Sequence, residues 1–221
     1  MKIVLLHAFP LGPEMWGPQV RALAEHEVVA PNLYELDGNS IDEWAEQISE
    51  RVDGEFAAVG ASMGGYVALA LARLAPESVR SLFLAGSRVG ADDAERRASR
   101  DAAISTLRED GIDAWAPNAP APPPPERTVE ELIRATEALR DRRDATEVAG
   151  HFEGPLWVVV GDNDPFLPVD EAREIAASAP NGRLEVIEGA GHFTSIERRD
   201  RFNELLDQFL NVTLASVQND M

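Results

Sequence analysis

Short apolar runs alternate with helical patterns through most of this chain, and no other feature of the sequence limits its fold as strongly. The runs that predict strands are Lys2 to Leu6, Glu27 to Ala30, Phe56 to Gly60, Val79 to Ala85, Leu156 to Val160 and Arg183 to Ile187. Strands separated by helices are joined by crossover connections, which make neighbouring strands parallel. The sequence therefore predicts an α/β fold with a mostly parallel sheet flanked by helices.

Helical patterns occupy most of the connections between these strands. They predict helices over Pro13 to Glu25, Ser40 to Val52, from just after Ser62 to about Leu74, Val169 to Ala179 and about Ile196 to Leu210. The second helix should begin with a capping box, in which Ser40 and Glu43 satisfy early N–H groups of the helix. Residues from Val212 to Met221 lack a strong pattern, and we expect them to fray.

A segment of different character, Ser87 to Glu153, interrupts the alternation. It is charged and rich in alanine, with helical patterns at Asp93 to Glu109 and Val129 to Arg142 and no clear strand. A proline-rich run from Pro117 to Pro125 divides it and should form an extended, stiff connector. The predicted units are a core formed by residues 1–86 and 154–211, a short helical cap inserted at residues 87–153, and a C-terminal tail at residues 212–221.

Composition excludes several classes of function. The chain has 221 residues, of which 44% are hydrophobic, enough for one globular domain with a sizeable core. Its formal net charge of −19 would repel nucleic-acid backbones and anionic membranes, so neither is an expected partner. The chain contains no cysteine, which excludes disulfides, thiolate metal sites and a cysteine nucleophile and favours a reducing cytoplasm. The sequence leaves the oligomeric state open.

A serine stands where the third predicted strand ends and the next helix begins. The residues Gly60-Ala61-Ser62-Met63-Gly64 form a G-x-S-x-G pattern at this junction. The junction is the context of a nucleophile elbow, a tight strand-to-helix turn that exposes a reactive serine at the helix N-terminus. Small residues around the serine would let the strand and helix backbones pass closely. Ser62 is therefore the predicted nucleophile.

A serine hydroxyl needs a base to remove its proton, and the chain offers four histidines. His192 lies in a loop of small residues between the last strand and the last helix, on the same predicted sheet edge as Ser62. His26 should lie on the opposite edge. His151 closes the inserted segment, and His7 is expected to stabilise a loop. The sequence therefore favours His192 as the base.

A carboxylate is expected as the third member of the site, because it would orient the histidine and stabilise its charged form. Asp162 and Asp164 both follow the apolar run that ends at Val160, at the carboxyl edge of the sheet, where catalytic groups of α/β folds collect. Asp162 could instead shape a turn by bonding its own backbone. With either aspartate, the chain order is serine, aspartate, histidine, as expected for a strand-to-helix nucleophile elbow.

Two backbone donors would be needed to stabilise negative charge on a substrate oxygen. One is the N–H of Met63, the residue after the predicted nucleophile. The other should come from the segment His7-Ala8-Phe9-Pro10, which directly follows the first strand. Because Pro10 has no N–H, the sequence predicts Phe9 as the second donor.

These motifs resemble the α/β-hydrolase superfamily over nearly the whole chain, and within it the small esterases, lactonases and cofactor-free haloperoxidases. The resemblance is carried by His7-Ala8-Phe9-Pro10-Leu11-Gly12 with Met15-Trp16, Gly60 to Gly65, Val158 to Pro168 and Gly189-Ala190-Gly191-His192. The first of these is similar to the opening of 3-oxoadipate enol-lactonase-like members, with Ala8 in place of the usual glycine. The resemblance implies that the catalytic acid is Asp164, four residues before a proline, and that the base is His192.

The function implied by the resemblance is hydrolysis of a small carboxylic ester or lactone through an acyl-enzyme, with no metal or organic cofactor. A carbon–carbon bond hydrolase, a thioesterase and a perhydrolase use the same three residues and remain alternatives, as does a ligand-binding receptor with this fold. The substrate should depend on the cap and on side chains such as Trp115 and Phe166, each expected either in the core or at the substrate pocket.

Overall fold

A parallel β-sheet runs through the centre of the fold. The computed structural model describes residues 1–219, in which six strands form one sheet with every pair parallel. The strands are β1 (Lys2–Leu6), β2 (Glu27–Val29), β3 (Phe56–Ala61), β4 (Val79–Ala85), β5 (Leu156–Gly161) and β6 (Gly182–Ile187). Their order across the sheet is β2-β1-β3-β4-β5-β6. The predicted α/β fold is confirmed, and each strand lies close to its predicted limits.

Helices form most of the connections and flank the sheet. They are α1 (Gly17–Ala22), α2 (Ile41–Arg51), α3 (Met63–Leu74), α4 (Ala94–Asp110), α5 (Ile112–Trp115), α6 (Val129–Arg140), α7 (Thr146–His151), α8 (Val169–Ser178), α9 (Thr194–Glu197) and α10 (Arg199–Asn219). Short 3-10 helices lie at Pro13–Trp16, Leu33–Glu35 and Ala116–Asn118. The helix predicted over Pro13 to Glu25 is thus a 3-10 turn followed by the short α1. Among residues 1–219, no helix has the length and apolarity needed to cross a membrane.

Alternate residues of the central strands pack into two separate cores. Leu84 and Val158 belong to the core beneath α2, α3 and α8, whereas Phe83 and Trp157 belong to the core beneath α10. Side chains alternate between the faces of a strand, so both faces of these strands are covered. This explains why β3 and β5, all of whose residues are buried, appear in the sequence as unbroken apolar runs.

Between β4 and β5 the described chain contains helices α4 to α7 and irregular segments, with no strand. Leu107 of α4, Trp115 of α5 and Leu132 of α6 are buried against the core beneath α2 and α3. The proline-rich run differs from its prediction at its start, because Pro117 lies in the 3-10 helix Ala116–Asn118. Proline fits there because the first residues of a helix need no N–H donor.

Two helix ends also differ from the sequence prediction. The side chain of Ser40 accepts the N–H of Glu43 as predicted, but the carboxylate of Glu43 accepts the N–H of Asn39. A complete capping box occurs instead at Thr128 and Glu131, before α6. Such a box satisfies two N–H groups that have no partner within the helix.

The last helix extends well beyond the predicted limit at Leu210. Helix α10 continues to Asn219, so the expected tail over residues 212–221 is helical as far as it is described, and Asp220 and Met221 lie outside the described residues. Thr213 is fully buried, and its Oγ1 lies 2.9 Å from Oγ of Ser81 on β4. A contact with the sheet therefore holds a stretch whose own sequence pattern is weak.

Replacement of Phe83 by alanine should strongly destabilise the protein. The ring is fully buried, and its centroid lies 6.4, 5.3 and 5.2 Å from those of Trp157, Phe202 and Phe209. Removing a buried phenylalanine ring typically costs about 3–5 kcal/mol. Urea denaturation of Phe83→Ala should show this loss in the free energy of unfolding. The control Leu74→Ala removes a side chain that is 41% exposed and should cost about 1 kcal/mol or less. Equal losses in the two variants would contradict the prediction.

Candidate active site

Ser62 lies in the turn between β3 and α3 with a strained backbone. Its φ and ψ are 48° and −110°, and among residues 1–219 it is the only non-glycine residue with a positive φ. The neighbouring end of β4 holds the turn. The N–H of Ser62 donates to the carbonyl of Ala85 at 2.8 Å, and Oγ of Ser87 donates to the carbonyl of Ser62 at 3.0 Å. Strain of this kind persists only where the surrounding structure enforces it.

Small residues allow the backbones around Ser62 to come close together. A Cβ atom added at Gly60 would lie 2.4 Å from the carbonyl oxygen of Gly64, and one added at Gly64 would lie 2.0 Å from that of Leu6 on β1. Both distances are far below van der Waals contact, and the atoms met belong to backbone. The glycines of the G-x-S-x-G pattern are therefore required by the packing of β1, β3 and α3.

His192 connects Ser62 with Asp164. Its Nε2 lies 2.9 Å from Oγ of Ser62, and its Nδ1 lies 3.0 and 2.9 Å from the two carboxylate oxygens of Asp164. Because a carboxylate only accepts hydrogen bonds, Nδ1 carries the proton, and Nε2 is left to accept the Ser62 hydroxyl. The loop between β6 and α9 places the ring at the carboxyl edge of the sheet, where β3 and β5 also end.

Asp164 and Asp162 make different contacts in the loop after β5. The side chain of Asp164 is fully buried, and its Oδ1 also accepts the N–H groups of Phe166 at 2.8 Å and Leu167 at 3.1 Å. Asp162 is exposed, and its Oδ1 accepts the N–H of Gly189 at 2.7 Å. Asp164 thus contacts the histidine ring directly, whereas Asp162 fixes the turn that leads to His192.

Phe9 and Met63, the predicted backbone donors, lie at the same edge as Ser62. Phe9 follows β1 and lines the same cavity as Ser62 and His192. Met63 is the first residue of α3, and the N–H groups of a first helical turn have no acceptor within their helix. The helix dipole adds partial positive charge at this end. Negative charge formed beside Ser62 would therefore meet a favourable electrostatic environment.

His7 is buried and supports the loop that carries Phe9. Its Nε2 accepts the N–H of Leu33 at 2.9 Å, its Nδ1 donates to the carbonyl of Ala8 at 3.2 Å, and its ring stacks on Tyr34 at a centroid distance of 5.3 Å. Burial lowers the pKa of His7 to about 4, because the charged ring would lose its hydration. The ring is therefore neutral at pH 7, and the predicted loop-stabilising position of His7 is confirmed.

A cavity of about 400 Å³ opens at Ser62 and His192. Its apolar wall includes Phe9, Tyr66, Trp115, Leu139 and Phe166. Trp115 is buried and packs edge-to-face against Phe9 at 5.6 Å, so it belongs to both the core and the cavity wall. Phe166 is 48% exposed and its ring lies 4.7 Å from that of His192, which places it at the site and outside the core.

Three arginines of the segment between β4 and β5, which no sequence pattern indicated, also line the cavity: Arg88, Arg96 and Arg100. Asp92 of the same segment lies beside them in the cavity wall. Helical periodicity could identify α4 but gave no information on which of its faces meets the cavity. Among the described residues, no group of three His, Asp or Glu side chains is arranged to hold a metal ion.

Comparison with known proteins identifies the class to which this sheet and turn belong. Residues 3–205 match the alpha/beta hydrolase family, so the chain is a member of that family, as its motifs predict. The family membership supports a hydrolase activity.

Individual relatives agree with this assignment. The chain is 24% identical to pimeloyl-[acyl-carrier protein] methyl ester esterase from Nitrosomonas europaea, over 93% of this chain and 94% of that protein. A thermophilic esterase from Thermogutta terrifontis has the same fold, with a TM-score of 0.85 and 24% identity over 96% of this chain and 90% of the esterase. The enol-lactonase from Burkholderia xenovorans LB400 also shares it, with a TM-score of 0.79 and 21% identity over 95% and 91% of the two chains.

The neutral state of His7 predicts a specific pH dependence of stability. The unfolded chain takes up a proton at this residue near pH 6.5, whereas the folded protein takes it up only at about pH 4. The contribution of His7 is therefore complete above pH 6.5 and is lost as the pH falls toward 4. Between pH 7 and pH 5 this loss is roughly 2 kcal/mol.

Urea denaturation of the wild type and of His7→Asn at pH 7 and pH 5 measures this effect, because titrations common to both proteins cancel. The variant should lose less unfolding free energy between the two pH values. An identical loss in both proteins would show that His7 is protonated equally in the folded and unfolded chains.

Proposed function

We propose that this protein is a serine hydrolase that cleaves a small carboxylic ester or lactone through an acyl-enzyme. The observation that carries the proposal is the continuous hydrogen-bonded connection from Ser62 through His192 to Asp164, with 2.9 Å on the serine side and 2.9 and 3.0 Å on the aspartate side. These distances are within the reach required of a nucleophile and its base.

In the first half of the proposed reaction, Oγ of Ser62 attacks the carbonyl carbon while Nε2 of His192 removes the hydroxyl proton. The buried carboxylate of Asp164 stabilises the imidazolium that forms. The backbone N–H groups of Phe9 and Met63 stabilise the oxyanion, and each such donor typically contributes about 2.7–4 kcal/mol to the transition state. His192 then returns the proton to the leaving alkoxide, which departs as an alcohol.

In the second half, water replaces the alcohol. His192 removes a proton from the water as it attacks the acyl-enzyme carbonyl, and the same two N–H groups stabilise the second oxyanion. Collapse of this intermediate breaks the bond between the acyl carbon and Oγ of Ser62, His192 returns its proton to Oγ, and the carboxylic acid is released. With a lactone, the leaving alkoxide stays attached to the acyl group, and the product is a single hydroxy acid. No step is assigned to a metal or an organic cofactor.

The cavity supports a small substrate. Its volume of about 400 Å³ is near the lower end of the range for small-molecule sites, and much of its wall is aromatic or aliphatic. Relatives described as an esterase and an enol-lactonase agree with the proposed substrate class. The cytoplasmic location remains a prediction from the cysteine-free sequence.

Removal of the Ser62 hydroxyl tests the acyl-enzyme. With p-nitrophenyl acetate, the wild type should release p-nitrophenol in a rapid burst about equal to the enzyme concentration, followed by slower turnover. Ser62→Ala should show no burst and should lose at least roughly a thousand-fold in rate. Ser49→Ala, on α2 and outside the cavity, is the control and should keep the burst. A burst of unchanged size in Ser62→Ala would refute the assignment of the nucleophile.

The two aspartates after β5 provide a matched pair of variants. Asp164→Asn removes the negative charge that stabilises the imidazolium. The N–H groups of Phe166 and Leu167 would hold the remaining oxygen, so the amide would turn an N–H donor toward Nδ1 of His192, and the acylation rate should fall by roughly 10³- to 10⁴-fold. Asp162→Asn keeps an oxygen acceptor for the N–H of Gly189 and should change the rate only a few-fold. Stopped-flow measurement of the burst rate compares them. If Asp162→Asn were the slower variant, the assignment of the acid would be reversed.

A further inference from the structure

The cavity at Ser62 carries positive charge in a strongly acidic protein. The chain has a formal net charge of −19, yet Arg88, Arg96 and Arg100 all line this cavity. Among the described residues, Asp92 is the only carboxylate in the cavity lining. An excess of negative charge over the whole protein repels anionic ligands. A cluster of cations in the cavity would offset this repulsion locally.

Asp92 lies between two guanidinium groups. Its carboxylate is almost completely buried, with Nη1 of Arg142 at 2.6 Å from one oxygen and Nε of Arg100 at 3.2 Å from the other. Two positive charges therefore accompany one negative charge. Burial of a charge is costly unless it is paired, and one arginine already supplies the pair that Asp92 needs.

The two arginines differ in how much hydrogen-bonding capacity they have left. Arg142 is buried, donates to the carbonyls of Leu139 at 2.8 Å and Gly90 at 3.0 Å, and stacks on the ring of Tyr66 at 4.2 Å. Arg100 is 28% exposed, and only its Nε is engaged. Among the backbone and side-chain groups that the structure describes, neither terminal nitrogen of Arg100 has a hydrogen-bond acceptor. The surplus positive charge is therefore available on Arg100.

The other two cavity arginines are already matched by carboxylates. Arg88 donates to the carbonyl of Phe166 at 3.0 Å and pairs with Glu171 at 2.7 Å. Arg96 pairs with Asp93, the N-cap residue of α4. Arg96 and Arg100 are four residues apart on α4 and share one face of the helix. Arg100 is thus the cavity cation with the most unused donors.

We propose that Arg100 binds an ionised carboxylate on the substrate, so that the enzyme acts on small esters or lactones that carry a carboxylate on the acyl or the alcohol side. This inference rests on the proposed function and specifies its substrate class. The two terminal nitrogens of a guanidinium form a planar fork that matches a carboxylate. Apolar side chains such as Trp115 and Leu139 line the same cavity and suit the methylene groups between the carboxylate and the ester.

Paired substrates of similar length test this specificity. Methyl pentanoate is neutral, and monomethyl glutarate carries a terminal carboxylate on the acyl side. Pentyl acetate and 4-acetoxybutanoate form a second pair, in which the carboxylate lies on the alcohol side. Hydrolysis rates can be measured from the protons that the product acid releases. They should give a higher kcat/KM for the anionic member of at least one pair. The preference should fall at high salt, because ions screen exposed charges.

Variants of one helix assign the preference to Arg100. Arg100→Gln should reduce kcat/KM for the anionic substrate by about ten- to a hundred-fold and leave that for its neutral partner within a few-fold. Arg100→Lys keeps the charge and should recover part of the preference. Arg108→Gln removes a positive charge from the same helix at a side chain that is 64% exposed and outside the cavity, and it should behave as wild type. Thermal denaturation of all three variants checks that they are folded.

Binding without turnover separates this inference from the proposed function. In the Ser62→Ala protein, calorimetry should detect binding of monomethyl glutarate or of 4-acetoxybutanoate. Adding Arg100→Gln should weaken the tighter of these two complexes about ten- to a hundred-fold, whereas adding Arg108→Gln should leave its affinity unchanged. If the wild type hydrolyses no ester, the proposed function fails, and the binding measurement still decides whether Arg100 holds an anion. If neutral and anionic esters are hydrolysed equally and Arg100→Gln affects both alike, the anion site is overturned while the hydrolase assignment stands.

Discussion

The positive φ of Ser62 is the constraint on which the rest of the site depends. A non-glycine residue in such a conformation costs about 1–3 kcal/mol, so the fold must hold it there. It is held because Gly64 lies against the backbone of Leu6 and because the end of β4 bonds the N–H of Ser62. The same sharp turn directs the hydroxyl toward His192 and begins α3 at Met63. One backbone conformation therefore positions both the hydroxyl and a neighbouring N–H group.

The loop after β5 meets the loop after β6 through two carboxylates with separate functions. Asp164 is buried and held by two N–H groups, so its orientation toward the imidazole is fixed before any substrate arrives. Asp162 bonds Gly189, which lies in the left-handed region with a φ of 67°. Because β5 and β6 are adjacent parallel strands, their carboxyl ends meet, and the position of His192 is set by the pairing of these two strands.

The sheet and the elbow could be predicted from the sequence because both depend on local patterns. Buried parallel strands are apolar throughout, and the G-x-S-x-G pattern is informative where a strand meets a helix. The distinction between Asp162 and Asp164 could not be derived in this way. Both aspartates follow β5. Which of them faces His192 depends on the direction in which the loop turns, and backbone hydrogen bonds fix that direction. The extent of α10 was missed for a similar reason, since the burial of Thr213 against Ser81 is a tertiary contact.

The segment between β4 and β5 was the least predictable part because charge as well as apolar surface attaches it to the core. Arg127 lies 3.9 Å above the ring of Tyr34, and Arg142 lies 4.2 Å from that of Tyr66. Both guanidinium groups are buried, and each is paired with a carboxylate, Glu131 at 3.5 Å and Asp92 at 2.6 Å. Cation–π contacts and ion pairs together offset the cost of burying these charges.

The contacts of Arg127 and Arg142 bring the segment between β4 and β5 against two parts of the site. Tyr34 stacks on His7, whose imidazole bonds the carbonyl next to Phe9, so Arg127 is packed behind the loop that carries one predicted oxyanion donor. Asp92 pairs with Arg142 in the interior and with Arg100 at the cavity. A single carboxylate thus links Arg100 of α4 to Arg142, whose guanidinium lies on the ring of Tyr66 in α3. Asp92 therefore connects the packing of Arg142 with the position of the Arg100 charge at the cavity. A substitution at Asp92 would alter the packing and the charge together.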